Sequence, residues 1–457
     1  MSALTSLSQA ELIEIILQLR GEIAELRGEI AALRARVVEL EEENQRLRTG
    51  KGGGTALAVK ASRPPKEEKE RKPRDRAYVR RREAQVDEVR VHAVGCCPEC
   101  GRKLQGGWEH SRRQAIEVRF ETRVVEHVRV ARWCGVCGER RVAPVGAPQF
   151  GVQGKRRLGV SVQALVTLLH VGCRVPIRML RKLLWEMGEL SLSNGEVVAL
   201  LAGMQEAGKP RLEEIKEQLR SSPAVCADET GWRENGKNGY LWGFFTPELR
   251  YYEYRDTRAG SVPVEVLGEG FGGVVTCDFY AGYNKVGVLQ RCWPHLLRDA
   301  DELAALNADR PEVVSWTEAL RALYREAKAV ALACRELPAN SRQRRKERRR
   351  LEKLAAALAR PYVSDLNAPQ RVLSQRIMKH LHELFVFVSD PRVPGDNNLA
   401  ERSLRPAVIA RKISGGTRSD KGSTTRTGLM SLLGTWTAEG RPLLGSCQEV
   451  LLPTPAP

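Results

Sequence analysis

Apolar and polar positions alternate with several different periods along this chain, and each change of period marks a change of structure. From Leu12 to Arg48 the repeat is a heptad. Ile16, Ile23, Ile30, Val37 and Asn44 fill position a, and Leu19, Leu26, Leu33, Leu40 and Leu47 fill position d. β-Branched residues at a with Leu at d favour a parallel two-stranded coiled coil, and one Asn at a fixes register and strand number. The flanking charges agree, because Glu22 meets Arg27, Glu29 meets Arg34, Arg36 meets Glu41 and Glu43 meets Arg48. Residues 1–49 are therefore expected to be a dimerisation helix that makes the protein a homodimer.

The period is lost at Lys51-Gly-Gly-Gly54, and residues 50–85 read as a flexible basic linker rich in Lys, Arg, Pro and Glu. Residues 86–150 hold two alternating runs, Ala115–Phe120 and Arg123–Val130, which predict strands. A helical period then covers residues 151–220. It predicts helices over about 160–171 and from Pro176 to Met187, and a third that opens with the capping box Ser193-Asn-Gly-Glu196. Two short helices joined by a small turn fit either a DNA-reading helix-turn-helix or a packed connector.

After Ser221 the pattern turns strand-like. Ala224–Asp228, Gly239–Phe245, Arg250–Tyr254, Gly272–Asp278 and Val286–Cys292 predict five strands, followed by a helix from about Pro294. Three strands with hairpin-like connections, then a fourth after a short crossover, is the order of a ribonuclease-H-like fold. In that fold the first and fourth strands are neighbours, which brings Asp228 and Asp278 side by side. Two apposed carboxylates repel unless cations lie between them, and hard oxygen ligands suit Mg²⁺ or Mn²⁺. The fold class expected is thus multidomain α+β: a coiled coil, a small cysteine-rich domain, a helical segment and a ribonuclease-H-like domain over residues 221–440. A helical insertion is expected over about 299–390, with a tail over 441–457.

Composition narrows the partners. The 457 residues are 42% hydrophobic, enough to bury a core, and carry a formal net charge of +18. Cationic side chains gain affinity for phosphates by releasing counterions, so the expected partner is double-stranded DNA. No apolar run reaches the roughly 20 residues that span a bilayer, and the first residues do not resemble a signal peptide. A cytoplasmic, nucleoid-associated protein is expected. Among the 11 cysteines, Cys97, Cys100, Cys134 and Cys137 form two Cys-x-x-Cys-Gly turns. That spacing predicts one Zn²⁺ held by four thiolates, structural because no position is left for water. A redox pair is the rival reading.

A third acid lies in Pro394–Pro406. Asp396 suits a helix N-cap, which puts Glu401 in the first turns of a helix, with Arg402, Arg405, Arg411 and Lys412 following. The run Arg342–Arg350, with Arg344, Arg345 and Arg348, fits either a solvated helix face or a surface for DNA phosphates.

Four motifs carry a resemblance over nearly the whole chain: Asp228-Glu-Thr-Gly-Trp232, Cys277-Asp-Phe-Tyr-Ala-Gly-Tyr283, Cys292-Trp-Pro-His295 and Asp396-Asn-Asn-Leu-Ala-Glu-Arg402. In this series and in domain order, the chain resembles the insertion-sequence-66 family of bacterial DDE transposases. The resemblance implies that Asp228, Asp278 and Glu401 hold two Mg²⁺ ions for cleavage at transposon ends and strand transfer into target DNA. It also implies that Asn397 and Asn398 orient Glu401 or touch phosphate, that Arg402 and Arg405 neutralise DNA phosphates or brace the acid, that the surrounding cations, Arg411 and Lys412 included, form a DNA-facing wall, and that element-encoded accessory proteins act as partners. One departure stands out: His295 is followed by Leu296-Leu297-Arg298-Asp299, where the family usually has a basic pair. A catalytically silent DNA-binding regulator, or a nuclease of the same fold, would keep the same acids.

Overall fold

The computed structural model describes residues 82–118, 120–142, 151 and 157–452, together with residues 21 and 28. The predicted zipper and most of the basic linker lie outside the described residues. Contacts divide the chain into two units, residues 1–116 and 117–457. In the first, Cys96 and Lys103 form a single bridge around the Cys97–Cys100 turn. In the second, β1 (Ala131–Cys134) and β2 (Glu139–Val142) pair antiparallel around the Cys134–Cys137 turn. The runs predicted as strands, Ala115–Phe120 and Arg123–Val130, take no regular structure among their described residues. Their apolar members, such as Val118, Val124 and Val128, are exposed. Alternation produces a strand only where a neighbour buries one face.

Helices α1 (Val160–Thr167), α2 (Ile177–Gly188), α3 (Asn194–Ala207) and α4 (Lys209–Arg220) follow. The first ends in a wide π-helical turn, Leu168–Gly172, rather than continuing as regular helix. The predicted capping box is present: Glu196 N–H donates to Ser193 Oγ (3.1 Å) and Ser193 N–H to Glu196 Oε2 (2.8 Å).

The main sheet has five strands in the order β5-β4-β3-β6-β7. They are β3 (Ala224–Glu234), β4 (Lys237–Phe245), β5 (Arg250–Arg255), β6 (Val274–Cys277) and β7 (Val288–Arg291). β3, β4 and β5 pair antiparallel, whereas β6 is parallel to both β3 and β7. This is the strand order expected of a ribonuclease-H-like fold. β3 does not end at its acid, as the apolar run suggested, but continues to Glu234. The cause is Asn235-Gly236, both at positive φ (49° and 80°), a two-residue turn whose twist matches paired strands. Asp228 therefore lies in mid-strand.

α5 (Ser261–Leu267) crosses from β5 to β6. After β7 come α6 (Trp293–Leu306), α7 (Pro311–Ala333), α8 (Arg342–Ala359), α9 (Arg371–Lys379) and the short α10 (Val386–Ser389). The chain closes with α11 (Asn398–Ser414), α12 (Asp420–Ala438) and α13 (Leu443–Leu451).

Strand alternation sends neighbouring residues of one strand into different cores. Phe245 joins Leu180, Met204, Leu404, Leu432 and Trp436 on one face, and Phe244 joins Trp242, Val262, Val275 and Tyr283 on the other. Helices α1 to α4 share a core with the sheet. The expected tail contains α13, whose Cys447 and Leu451 are buried. The insertion is helical, and its Trp316, Tyr324, Phe385 and Phe387 share a core with Trp293 before it, against which Ala224 and Val274 of the sheet also pack.

Candidate active site

The parallel ladder between β3 and β6 aligns the first two acids. Its last matched pair is Cys226 with Thr276, and two residues further along each chain come Asp228 and Asp278. Across the antiparallel side, Asp228 pairs with Gly243. A Cβ there would meet the Phe245 ring at 2.2 Å and Leu404 of α11 at 3.2 Å, so this glycine lets α11 approach the face that carries Asp228. Each acid is held by backbone near it: Asp228 Oδ1 accepts from Glu229 N–H (2.9 Å), and Asp278 Oδ1 accepts from Tyr280 N–H (2.8 Å).

Asp228 is held against its own ionisation. Burial, then the charge of Glu229, and further that of Asp278 and Glu401, push its carboxyl up from 3.8 to about 7. The Glu229 N–H bond opposes this shift without cancelling it. Asp228 thus lies within electrostatic reach of both other candidate acids. Among the described residues no three His, Cys, Asp or Glu side chains are gathered closely enough to hold a metal ion.

The turn before α11 is tied to every element that carries an acid. Thr276 Oγ1 of β6 donates to Pro394 O (3.3 Å), and Trp293 N–H donates to Gly395 O (3.1 Å). Asn397, fully buried, donates from Nδ2 to Ala227 O of β3 (2.8 Å) and from its N–H to Cys292 Sγ (3.2 Å). Asp396 accepts from Asn398 N–H (3.1 Å), so it serves the helix start although Asn397 is the capping residue. Glu401, one turn in, is half-exposed beside His295 Nε2 (3.8 Å) and Arg298 Nη2 (3.9 Å). Arg298 thus supplies a cation although the family's basic pair is missing.

Several expected DNA contacts change role. Asn397 is buried and braces β3. Arg344 is fully buried, with its guanidinium on the carbonyls of Leu337 (3.1 Å), Val388 (2.9 Å) and Cys334. It closes the insertion core and presents nothing to a phosphate, because burial on α8 alternates with exposure at helical spacing. Arg348 is engaged with Glu352 (2.9 Å), Ser389 and His382 O. Arg411 ties α11 to Thr230 and Gly231 of β3. Arg345, Arg402, Arg405 and Lys412 remain exposed, and Asn398 is half-buried.

Two sets of supporting residues carried no signal in the sequence pattern. Arg291, fully buried at the end of β7, donates to Asp278 O (2.8 Å) and Tyr280 O (3.3 Å) and pairs with Glu383 of the insertion (2.6 Å). Glu229, on the face opposite Asp228, is held by Arg258 and by the buried Tyr283 hydroxyl. The Arg258 guanidinium also lies over the Tyr280 ring, 3.9 Å from its centre.

The two Cys-x-x-Cys-Gly turns have similar local geometry. Gly101 N–H donates to Cys97 O and Gly138 N–H to Cys134 O, both at 2.9 Å. Both glycines take positive φ (73° and 65°). Backbone N–H groups of Cys100 and Glu99 hold the Cys97 thiol below its usual range, and Cys137 and Val136 do the same for Cys134. Stabilised thiolates of this kind are what a metal ligand requires.

No helix among the described residues is long and apolar enough to cross a membrane. A protein of Sinorhizobium fredii described as "Uncharacterized protein y4qI" is 26% identical over 265 residues, 50% of this chain and 47% of its own length. The chain thus spans about half the length of the curated relative it matches. The family model described as "Transposase IS66 family" matches residues 155–425, from the helices before the sheet to the second turn of α12. That match takes in more than half of the 457 residues and all three candidate acids, and the chain belongs to the IS66 family of transposases.

Proposed function

We propose that the protein is a DDE transposase that cleaves transposon ends and joins them to target double-stranded DNA. In this reading Asp228, Asp278 and Glu401 hold two Mg²⁺ ions, or Mn²⁺. The observation that supports the reading is that β3 and β6 are parallel neighbours whose ladder ends at Cys226 and Thr276, two residues before Asp228 and Asp278, with the Glu401 helix braced to β3 through Asn397. The donor set fits hard divalent cations, since it is all carboxylate and Asp228 is held against ionisation by burial and then by like charge. Two such ions activate the attacking oxygen and stabilise the leaving one in phosphodiester chemistry.

The chain's own residues supply placement and charge. Arg291 fixes the main chain at Asp278, and Asn397 fixes the start of the Glu401 helix. Arg402, Arg405 and Lys412, exposed on α11, face DNA phosphates beside the acids, and Arg345, exposed on α8, is a further phosphate contact. One Zn²⁺ on Cys97, Cys100, Cys134 and Cys137 is structural. The heptad helix pairs two subunits, so that two transposon ends are handled together. The protein works on chromosomal DNA in the cytoplasm, with element-encoded partners.

Purified protein with labelled cognate ends and a target plasmid, in Mg²⁺ or in chelator, tests this. Mg²⁺-dependent joined product is expected. The competing readings are a silent DNA-binding regulator and a nuclease of the same fold. Binding without cleavage would favour that regulator, and cleavage without joining would favour a nuclease.

A further inference from the structure

One basic cluster lies away from the three acids and meets no counter-charge among the described residues. Arg426, on the second turn of α12, donates from Nη1 to His170 Nε2 (3.3 Å), and its buried Nε has no partner. His170, in the wide turn after α1, bonds Val175 O through Nδ1 (2.8 Å). That contact makes Nδ1 the protonated nitrogen and leaves Nε2 to accept from Arg426. Burial and the Arg426 charge push His170 down to about 4, so it aims the guanidinium without adding charge at neutral pH. The charged neighbour that acts on Arg426 is another cation, Arg174. Arg174 takes a left-handed backbone (φ 63°), a conformation that costs a non-glycine residue energy and persists only where surroundings impose it.

Among the described residues, the fully buried Arg291 is satisfied by Glu383 and carbonyls and Arg344 by three carbonyls; Arg211, Arg255 and Arg371 also leave a buried Nε unpaired, but Arg211 and Arg255 have carboxylate partners. Two cations that act on each other, one anchored through His170 and neither facing a carboxylate among the described residues, favour a bound anion. A guanidinium fork suits phosphate oxygens.

We propose that Arg426 and Arg174, with His170 orienting Arg426, form a phosphate-binding site that grips the DNA backbone away from the catalytic acids. The assignment to DNA rests on the transposase reading, whereas the anion site does not.

Full-length wild type, Arg426→Gln, Arg426→Lys and Arg174→Gln are compared in two assays. In the first, inorganic phosphate replaces chloride at constant ionic strength during thermal unfolding. Phosphate should raise the wild-type Tm and leave that of Arg426→Gln unmoved. In the second, binding to a random-sequence duplex is followed against potassium chloride in chelator. Arg426→Gln and Arg174→Gln should each flatten the slope of log affinity on log salt by about 1, whereas Arg426→Lys keeps it. Without phosphate, Arg426→Gln should melt at or above wild type, because an uncompensated cation has been removed. A lower Tm with unchanged DNA binding would make Arg426 structural and overturn the proposal. A phosphate response with no change in DNA binding would overturn the DNA assignment. Lost self-association in its place would give the site to an acidic group of a second copy, also overturning it. Wild type with no salt-dependent duplex binding would sink the transposase reading, while the phosphate arm still decides the anion site.

Discussion

Asp228→Asn should stabilise the metal-free protein, and do so more at high pH. The folded chain holds the Asp228 carboxyl near 7, against an ordinary value of 3.8, through burial and the charges of Glu229, Asp278 and Glu401. Between those two values the native state keeps a proton that the unfolded state has released. Stability therefore falls as pH rises through that window and levels off above about 7. The full gap, at ~1.4 kcal/mol per pH unit, amounts to about 4 kcal/mol. Roughly 2–3 kcal/mol of it accumulates between pH 5 and pH 8. Asn has the same shape and no charge, so it escapes this loss. Urea unfolding of both proteins in chelator at pH 5 and pH 8 measures it. The advantage of Asp228→Asn should widen by about 2 kcal/mol between the two conditions. Millimolar Mg²⁺ at pH 8 should raise wild type more than the variant, which keeps Asp278 and Glu401 but lacks the buried charge of Asp228. An advantage that stays constant with pH, or Mg²⁺ acting equally on both, would refute the electrostatic account of the site.

Other predictions bear on the scaffold. Arg291→Met should cost about 3 kcal/mol, because it strips Glu383 and two carbonyls of their donor, and should abolish strand transfer without weakening DNA binding; urea unfolding and a gel-shift assay check both. Arg344→Met should cost a similar amount, about 3 kcal/mol by loss of donors to three buried carbonyls, while duplex affinity measured by anisotropy stays at the wild-type value. Metal analysis should find one zinc per chain, and Cys134→Ser/Cys137→Ser should remove it. Sedimentation at micromolar concentration should show a dimer, and a chain lacking residues 1–49 should run as a monomer.

Much of the sheet-bearing half was legible in the sequence because its strands alternate cleanly and end at turn residues. The two aspartates were placed on neighbouring strands by order alone, and the β3–β6 register aligns them. The length of β3 was not legible from the apolar run, since Asn235-Gly236 sets it. The runs Ala115–Phe120 and Arg123–Val130 have the alternation of strands without a partner to bury a face. Helix α8 shows why charge runs mislead: Arg344 and Arg345 read alike in sequence, yet one is buried and the other exposed. Which arginine turns inward depends on the carbonyls of Cys334, Leu337 and Val388, far from it in pattern or in chain. Arg291 escaped notice for the same reason, because its partner Glu383 lies 92 residues away.

The central claim is that Asp228, Asp278 and Glu401 act as one metal-dependent centre on DNA. The most direct test is strand transfer by Asp228→Asn, Asp278→Asn and Glu401→Gln, each first shown to bind cognate ends as wild type does. The account predicts that all three bind and that none yields joined product in Mg²⁺. Full strand transfer by any one of them would contradict it.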